Sequence, residues 1–503
     1  MYRTRKYEVD ETQPLYDYFN MICGNSKCLY NVTNYYIRNI MTGIQKDISK
    51  RTPNEQAVIE AVEQALPAYE RTRLKTLKKR IDKIKKDDSL SLAEKQQKID
   101  KLKDDYKPAS LPTADKWFLS YNMLDAVFKY HNNPDYLSIP SHINQQTMKD
   151  CYEAWKSYFK SVKDWTQHPE KYLGKPKLPK YKKNPLHTAT FTNVVCKFKQ
   201  IGNKVYLQFP KTKLLFDLGN SVLETDKLAE VKIQPYYGRF LILVSIKEPD
   251  VEFPKLEPTR ICAIDLGVKN FAAITNNIGL PNLLFKGKVL CYENHHYEKE
   301  MAHIKSKQTK GTTNGFHQTK ASNALCRHRL NLIDNYMHKV VKRIINWCLV
   351  NQIDTIVIGS NKHWKQKSRM NRMNNQPFAD IPFDLFKRII KYQCVRNGLN
   401  YIFAEESYTS QASFLDNDDI PTYDKNNYQK HVFSGHRYQK KYVSKDGTVI
   451  NADLNGSANT LRKAIPTAFD NGIKPDFTNT LIYKHPDMKP YRCAAYSQGY
   501  RRK

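Results

Sequence analysis

Two carboxylate-bearing segments, far apart in the chain, constrain the fold more than any other feature. The first reads Ile261-Cys262-Ala263-Ile264-Asp265-Leu266-Gly267-Val268-Lys269-Asn270 and the second Ile450-Asn451-Ala452-Asp453-Leu454-Asn455-Gly456-Ser457. In the first, an apolar strand delivers one carboxylate and turns at a glycine into another apolar run, Phe271 to Ile274. In the second, a carboxylate is followed by small residues able to open a helix, Gly456 to Leu461. A strand-borne and a helix-borne Asp can together hold divalent cations over a phosphodiester. Two such ions about 3.5–4 Å apart clamp the attacking and leaving oxygens of an in-line displacement. Carboxylate oxygens suit that task because Mg2+ is hard, octahedral and prefers oxygen.

The charge balance names the kind of partner. Across 503 residues, 82 Lys and Arg stand against 50 Asp and Glu, a formal charge of +32. That excess points to a polyanion, because neutralising phosphates releases counterions and gives strong, salt-sensitive binding. No run of about eighteen apolar residues is present to span a membrane, and Met1-Tyr2-Arg3-Thr4-Arg5-Lys6 opens the chain without a secretory apolar core. The cysteines are scattered singly and form no Cys-x-x-Cys. Cys23 and Cys28 have no second pair to complete a zinc site, so reduced thiols of a cytosolic protein are expected.

Along the chain, Thr4 to Val9 reads as a strand and Leu15 to Met41 as a helix. From Asn54 to Tyr106, Leu74, Leu77, Ile81 and Ile84, then Ile99, Leu102 and Tyr106, fall at helical spacing. Asp87-Asp88-Ser89 closes one helix, and Ser91-Leu92-Ala93-Glu94 is a capping box for the next, which predicts an antiparallel helical hairpin. Met148, Cys151, Tyr152, Trp155 and Phe159 form an apolar stripe expected in the core. Lys171, Lys175, Lys177, Lys180, Lys182 and Lys183 then alternate with Tyr172, Pro176, Pro179 and Tyr181. A Pro-rich run cannot be helical, so these cations are displayed on extended chain, suited to a phosphate backbone. Thr188 to Phe198, Lys204 to Phe209, Val231 to Pro235 and Phe240 to Ile246 read as strands of a small antiparallel barrel or sheet. Strands at Cys262–Asp265, Phe271–Thr275, Thr355–Ile358 and Tyr401–Ala404, with helices at Ala324–Asn351 and Pro382–Asn397, predict an α/β core.

These residues also carry a resemblance. Ile264-Asp265-Leu266-Gly267-Val268-Lys269-Asn270 resembles the first RuvC motif of the TnpB (OrfB) proteins of insertion sequences and of the type V CRISPR effectors. Asn451 to Ala464 is similar to their third motif, Tyr408-Thr409-Ser410-Gln411 to the stretch after their last core strand, and Gln145-Gln146 through Lys177 to the stretch before their second half. The resemblance implies an RNase-H-like (RuvC) α/β nuclease core with an α-helical recognition domain and a small β-barrel wedge domain. Its expected division is 1–10 first wedge strand, 11–170 helical recognition domain, 171–255 wedge with basic linker, and 256–411 nuclease core. Residues 412–449 would then be a target-binding insert, 450–465 the third motif and 466–503 a disordered basic tail. It implies Mg2+ or Mn2+ as cofactor, a guide RNA and target double-stranded or single-stranded DNA as partners, a monomer or homodimer, no membrane, and a prokaryotic, nucleoid-associated setting. Lys269, Asn270, Tyr408, Ser410 and Gln411 join the six linker lysines as candidate nucleic-acid contacts.

Two departures from the family pattern matter. Where most relatives end the strand Thr355–Ile358 in a catalytic glutamate, this chain has Gly359. The next strand ends in Glu405-Glu406, and parallel neighbours finish at the same edge, so one of these carboxylates can fill the space Gly359 leaves. Successive side chains point to opposite faces, so one of the two is expected to act; alternation alone does not choose, and Glu406 is favoured as nearer the tip. The candidate metal ligands are therefore Asp265, Glu406 and Asp453, with Glu405 the alternative. The second departure is the absence of the paired cysteines that give relatives a zinc-bound insert; no zinc is expected, and Asp446-Gly447 reads as a hairpin turn instead. Three functions remain: an RNA-guided DNA endonuclease, a guided DNA-binding protein that does not cut, and an unguided structure-specific nuclease.

Overall fold

The computed structural model describes residues 1–115, 118–223, 225–249, 257–311, 315–360, 380–423 and 430–492. The chain divides into two compact units, Met1–Pro249 and Asp250–Lys503. Among the described residues no helix is long and apolar enough to cross a membrane.

Unit 1 opens with β1 (Tyr2–Val9), followed by α1 (Tyr16–Gly43), α2 (Pro53–Lys85), α3 (Leu92–Asp104), α4 (Tyr121–Tyr130), α5 (Pro134–Leu137) and α6 (Ser141–Gln167). The strands β2 (Ala189–Thr192), β3 (Lys197–Ile201), β4 (Lys204–Gln208), β5 (Leu215–Asp217), β6 (Lys227–Tyr236) and β7 (Arg239–Lys247) come after them. β1 pairs antiparallel with β7 over its whole length, Tyr2 opposite Lys247 and Val9 opposite Phe240, in a sheet ordered β1-β7-β6-β2. A separate antiparallel sheet joins β3, β4 and β5. The run Thr188 to Phe198, read as one strand, is two, because the Thr192 carbonyl accepts both the Val195 and Cys196 amides and folds the chain over between them.

The helices form where their caps and stripes demand. Thr52 and Glu55 make a capping box at the start of α2, and Ser91 and Glu94 make the expected one at α3. Val58, Ile59, Val62 and Ala65 bury the first half of α2, whereas Leu74 beyond them is exposed. The second half of this helix and α3 are therefore a hairpin with little apolar cover. In α6, Met148, Cys151, Tyr152 and Trp155 are buried, and the Trp155 indole N–H donates to Asn34 at 3.0 Å, which makes this stripe core.

Unit 2 is built on β8 (Ile261–Leu266), β9 (Asn270–Asn276) and β10 (Asn282–Lys286), an antiparallel meander. After α7 (Lys288–Thr309) and α8 (Lys320–Val350), β11 (Thr355–Gly359) lies parallel to β8. After α9 (Phe383–Arg396), β12 (Asn400–Ala404) lies parallel to β11. A small antiparallel sheet, β13 (His436–Tyr438), β14 (Lys441–Val443) and β15 (Val449–Asn451), leads straight into α10 (Ala452–Ala464). Gly447, at φ +84°, makes the expected turn between β14 and β15.

The stretch expected to be a disordered tail is in part structured. β16 (Thr480–Tyr483) extends the main sheet parallel to β10, and β17 (Tyr491–Arg492) follows it at the edge; the rest of that stretch, 493–503, lies outside the described residues. Four residues are too few to show a period in sequence. Their place is fixed from outside, by the Asn282 amide donating to Asn479 and the Asn282 side chain donating to Asp476.

The full sheet order is β12-β11-β8-β9-β10-β16-β17. Alternation along each strand assigns its faces. Cys262, Ile264, Ile356 and Ile358 pack with the apolar stripes of α8 and α9, including Met337, Val341, Ile344, Phe386 and Ile390. Ile261, Ala263, Val357 and Ala404 pack instead with Leu461 of α10. Asp265 continues the second set, and so faces α10.

Candidate carboxylate site

Helix α10 lies unusually close to the sheet, and its small residues permit it. A Cβ placed on Gly456 would stand 2.8 Å from Asp265 Oδ2. Ser457 Oγ donates to the Ala263 carbonyl at 2.8 Å, and Asn455 and Asn459 donate to backbone carbonyls of Ala412 and Thr409. The helix begins at Asn451, whose side-chain oxygen accepts the amides of Asp453 and Leu454, a conventional N-cap. Asp453 thereby sits in the first turn, over the end of the strand that carries Asp265.

The third carboxylate comes from beyond β12. Gly359 is opposite Ala404, and a Cβ on Gly359 would lie 1.7 Å from Glu406 Oε1 and 2.5 Å from its Cδ. The Glu406 side chain occupies the volume that any side chain at 359 would need. Gly359 is in phase with Val357, which packs toward α10, so the volume that Glu406 fills lies on the α10 face. Glu405 turns away. Its carboxylate accepts the Ser407 amide at 2.7 Å and bonds the Ser407 hydroxyl and the Lys463 ammonium.

Electrostatics separate the two glutamates. Burial pushes Glu406 up to about 7; the Lys387 ammonium opposes this and the Glu405 charge adds to it. Burial would also raise Glu405, but the bonds from Lys463 and Ser407 outweigh it and hold that carboxyl below its usual range. Asp265 is driven well above the carboxylate range by desolvation first and then by the Glu406 and Asp453 charges. Arg437 of β13 opposes that rise, and its guanidinium donates to Asp453 Oδ1 at 2.8 Å. The other Asp453 oxygen accepts the Asn270 amide at 2.6 Å. Among the described residues no three His, Cys, Asp or Glu side chains are drawn into a ready metal cage. Asp453 is instead engaged by Arg437 and Asn270.

Several functional candidates could not be found by spacing. Arg437 lies on a three-residue strand, and Lys286 and Lys387 lie in otherwise ordinary strand and helix sequence. The candidate nucleic-acid contacts fall in both units. In unit 1, Lys171 pairs with Asp164 at 3.7 Å, Lys175 stands 5.9 Å from the Trp165 ring centre and Lys182 4.6 Å from that of Tyr30. Lys177 and Lys180 line a cleft of about 480 Å3 with Tyr30, Tyr158 and Tyr181. Asn31 holds the Lys182 backbone through two hydrogen bonds and Asn34 donates to the Pro179 carbonyl, fixing the main chain while Lys177, Lys180 and Lys183 stay exposed. In unit 2, Lys269 and Gln411 are exposed and Ser410 is half-buried, while Tyr408, in the left-handed region at φ +61°, stacks edgewise on His431 at 4.9 Å. Asn270 differs from expectation: it is buried, and its amide serves Asp453 rather than an open surface.

Hydrogen bonds tie together the stretch in which relatives carry cysteines. The Asp418 carboxylate accepts the Ser413 and Ser434 amides and the Ser434 hydroxyl, while Asp416 accepts the Ser413 hydroxyl and the Lys445 amide. Each bond to a charged group is worth about 1.5–3 kcal/mol. Asp418→Ala should therefore speed amide hydrogen exchange in β13–β15 at least tenfold and leave exchange in β8 unchanged.

The chain is thus a mixed α/β protein whose acidic residues gather where strands end under a helix. Residues 242–365 match the OrfB family of IS605 elements, described as a probable transposase, and residues 383–460 match the Cas12f1-like TNB domain. Over these two segments the chain is similar to TnpB proteins and compact type V effectors. No curated protein matches it in sequence. Distant likenesses extend to a Cas12f1–sgRNA–target DNA complex, with 11% identity over 92% of this chain and 98% of that one at TM-score 0.42. Others are AacC2c1 with sgRNA and extended non-target DNA (8%, 83% and 71%, TM-score 0.39) and the mini-RNA-guided endonuclease CRISPR-Cas phi3 (12%, 59% and 61%, TM-score 0.30).

Proposed function

We propose that this protein is an RNA-guided DNA endonuclease with one RuvC-like site formed by Asp265, Glu406 and Asp453. The observation that carries the reading is the placement of Glu406 in the volume over Gly359, on the same face as Asp265 and beneath the helix that carries Asp453. The two family matches, which contain all three residues, support it, and a formal charge of +32 supports nucleic-acid partners. On this reading the sheet with α10 is an RNase-H-like core. The β1-β7-β6-β2 sheet is the wedge, and α1–α6 are the recognition domain.

The donor set fits Mg2+ or Mn2+. Burial first, and then the Glu406 and Asp453 charges, raise Asp265, and a hard cation would relieve that repulsion; Glu406 is itself raised by burial. Bound there, such ions would supply Lewis acidity at the scissile phosphate and lower the pKa of the attacking water. Asp265 presents its carboxylate from a rigid strand, and Glu406 reaches toward it from beyond β12, over Gly359 of the intervening β11. Asp453 contributes from the helix once Arg437 gives way. The lysines of 171–183, set on a fixed extended backbone, hold phosphates, and base pairing to a guide reads the sequence.

The test uses the protein purified with whatever RNA it carries. Cleavage of matched DNA should require Mg2+ or Mn2+ and fall at least a thousandfold in Asp265→Ala and in Asp453→Ala, with RNA-dependent DNA binding retained. DNA binding that needs no RNA overturns the guided reading. Binding without any cutting in the unaltered protein makes it a guided binder.

A further inference from the structure

Asp453 has two oxygens, and the fold treats them differently. Oδ1 faces Arg437, a partly exposed residue on the small β13–β15 sheet. Oδ2 faces inward to Asn270, which is 4% exposed and donates to it at 2.6 Å. The Asn270 carbonyl oxygen in turn accepts Lys286 Nζ at 2.8 Å. A carboxylate only accepts and an ammonium only donates, so the amide between them can be satisfied in a single orientation. A buried amide satisfied at both ends is held firmly, because either lost bond leaves a costly orphan.

The backbone places this chain of bonds deliberately. Asn270 begins β9 directly opposite Lys286 on β10, at a register shift between Phe285 and Lys286 that re-aims the lysine. The intervening loop is closed by the Gly287 amide donating to the Lys269 carbonyl, and a Cβ on Gly287 would lie 2.1 Å from the Val268 oxygen. The Tyr336 hydroxyl donates to the Lys286 carbonyl at 2.7 Å and pins the far end.

From this geometry we infer that Asn270, oriented by Lys286, is the positioning residue for Asp453: it retains Oδ2 and leaves Oδ1 as the oxygen offered to a cation in exchange for Arg437. The inference rests on the reading of Asp453 as a metal ligand. Outer partners that orient a ligating side chain typically govern affinity or activity by 10–100-fold. They do so without touching the reacting atoms.

The experiment titrates Mn2+ alone into the full-length protein with its bound RNA, by calorimetry, and measures cleavage beside it. Asn270→Ala should weaken Mn2+ binding about 10–100-fold and slow cleavage in proportion. Lys286→Met should give a smaller loss in the same direction, and the double variant should be no worse than Asn270→Ala, since both act through one bond. Unchanged Mn2+ affinity in Asn270→Ala, or additive losses in the double variant, overturns the inference. Should Asn270→Ala fail to fold, Lys286→Met decides alone, and wild-type affinity in it overturns the inference. If Asp453→Ala itself binds Mn2+ and cuts as the unaltered protein does, the proposed site is wrong, which is a distinct result from failure of the relay.

Discussion

Glu406→Gln should abolish guided cleavage, by roughly three or more orders of magnitude, while Glu405→Gln costs less than about tenfold. The asymmetry follows from where the two carboxylates point. Glu406 fills the volume over Gly359 on the α10 face, and Glu405 is spent on Lys463 and the Ser407 amide. A two-metal site with only Asp265 and Asp453 would have too few anionic ligands, so its third carboxylate cannot be spared. The same substitution has an opposite effect on stability. Folding raises the Glu406 pKa from 4.5 to about 7, so the folded state holds its proton where the unfolded state has lost it. Its stabilising contribution is full below pH 4.5 and declines as pH rises through 7. Gln has no charge to bury, and in metal-free buffer at pH 8 the variant should melt higher than the unaltered protein. Equal cleavage by both single variants would refute the assignment, and a lower melting point at pH 8 would refute the electrostatics.

The sequence exposed the two aspartates because each sits where local chemistry changes: a strand ending at Gly267, and a cap before a run of small helix residues. It could not choose between Glu405 and Glu406. Both lie beyond the last residue of β12, where alternation no longer holds, and they are separated by contacts between distant segments: Glu406 fills the volume over Gly359, and Lys463 of α10 engages Glu405. The partners of Asn270 were hidden for a related reason. Only the pairing of β9 with β10 brings Lys286 behind it. β16 escaped notice because a four-residue strand at a sheet edge is specified by its neighbours. α7 escaped because only Leu290, Asn294 and Met301 of its length are buried, too few to write a stripe.

Gly359→Ala should slow cleavage about a hundredfold, though it adds only one methyl group. That carbon would lie 1.7 Å from Glu406 Oε1 and 2.7 Å from its Cγ, so the side chain must swing out. A flexible carboxylate can move at little cost to the fold, and replacing glycine in a strand adds roughly 0.5–1 kcal/mol of stability in its own right. The expected signature is therefore a melting temperature that holds or rises with cleavage down about a hundredfold, the scale on which misplacing a reacting group by an ångström acts. The complementary variant returns the carboxylate to β11. Gly359→Glu combined with Glu406→Ala places a glutamate at the end of the strand beside Asp265, in the volume Glu406 has vacated. If the site needs a carboxylate in that volume whatever strand supplies it, the double variant should cut at least tenfold faster than Glu406→Ala alone. Wild-type cleavage by Gly359→Ala would mean that Glu406 is not needed where it stands, and the carboxylate would have to be sought elsewhere.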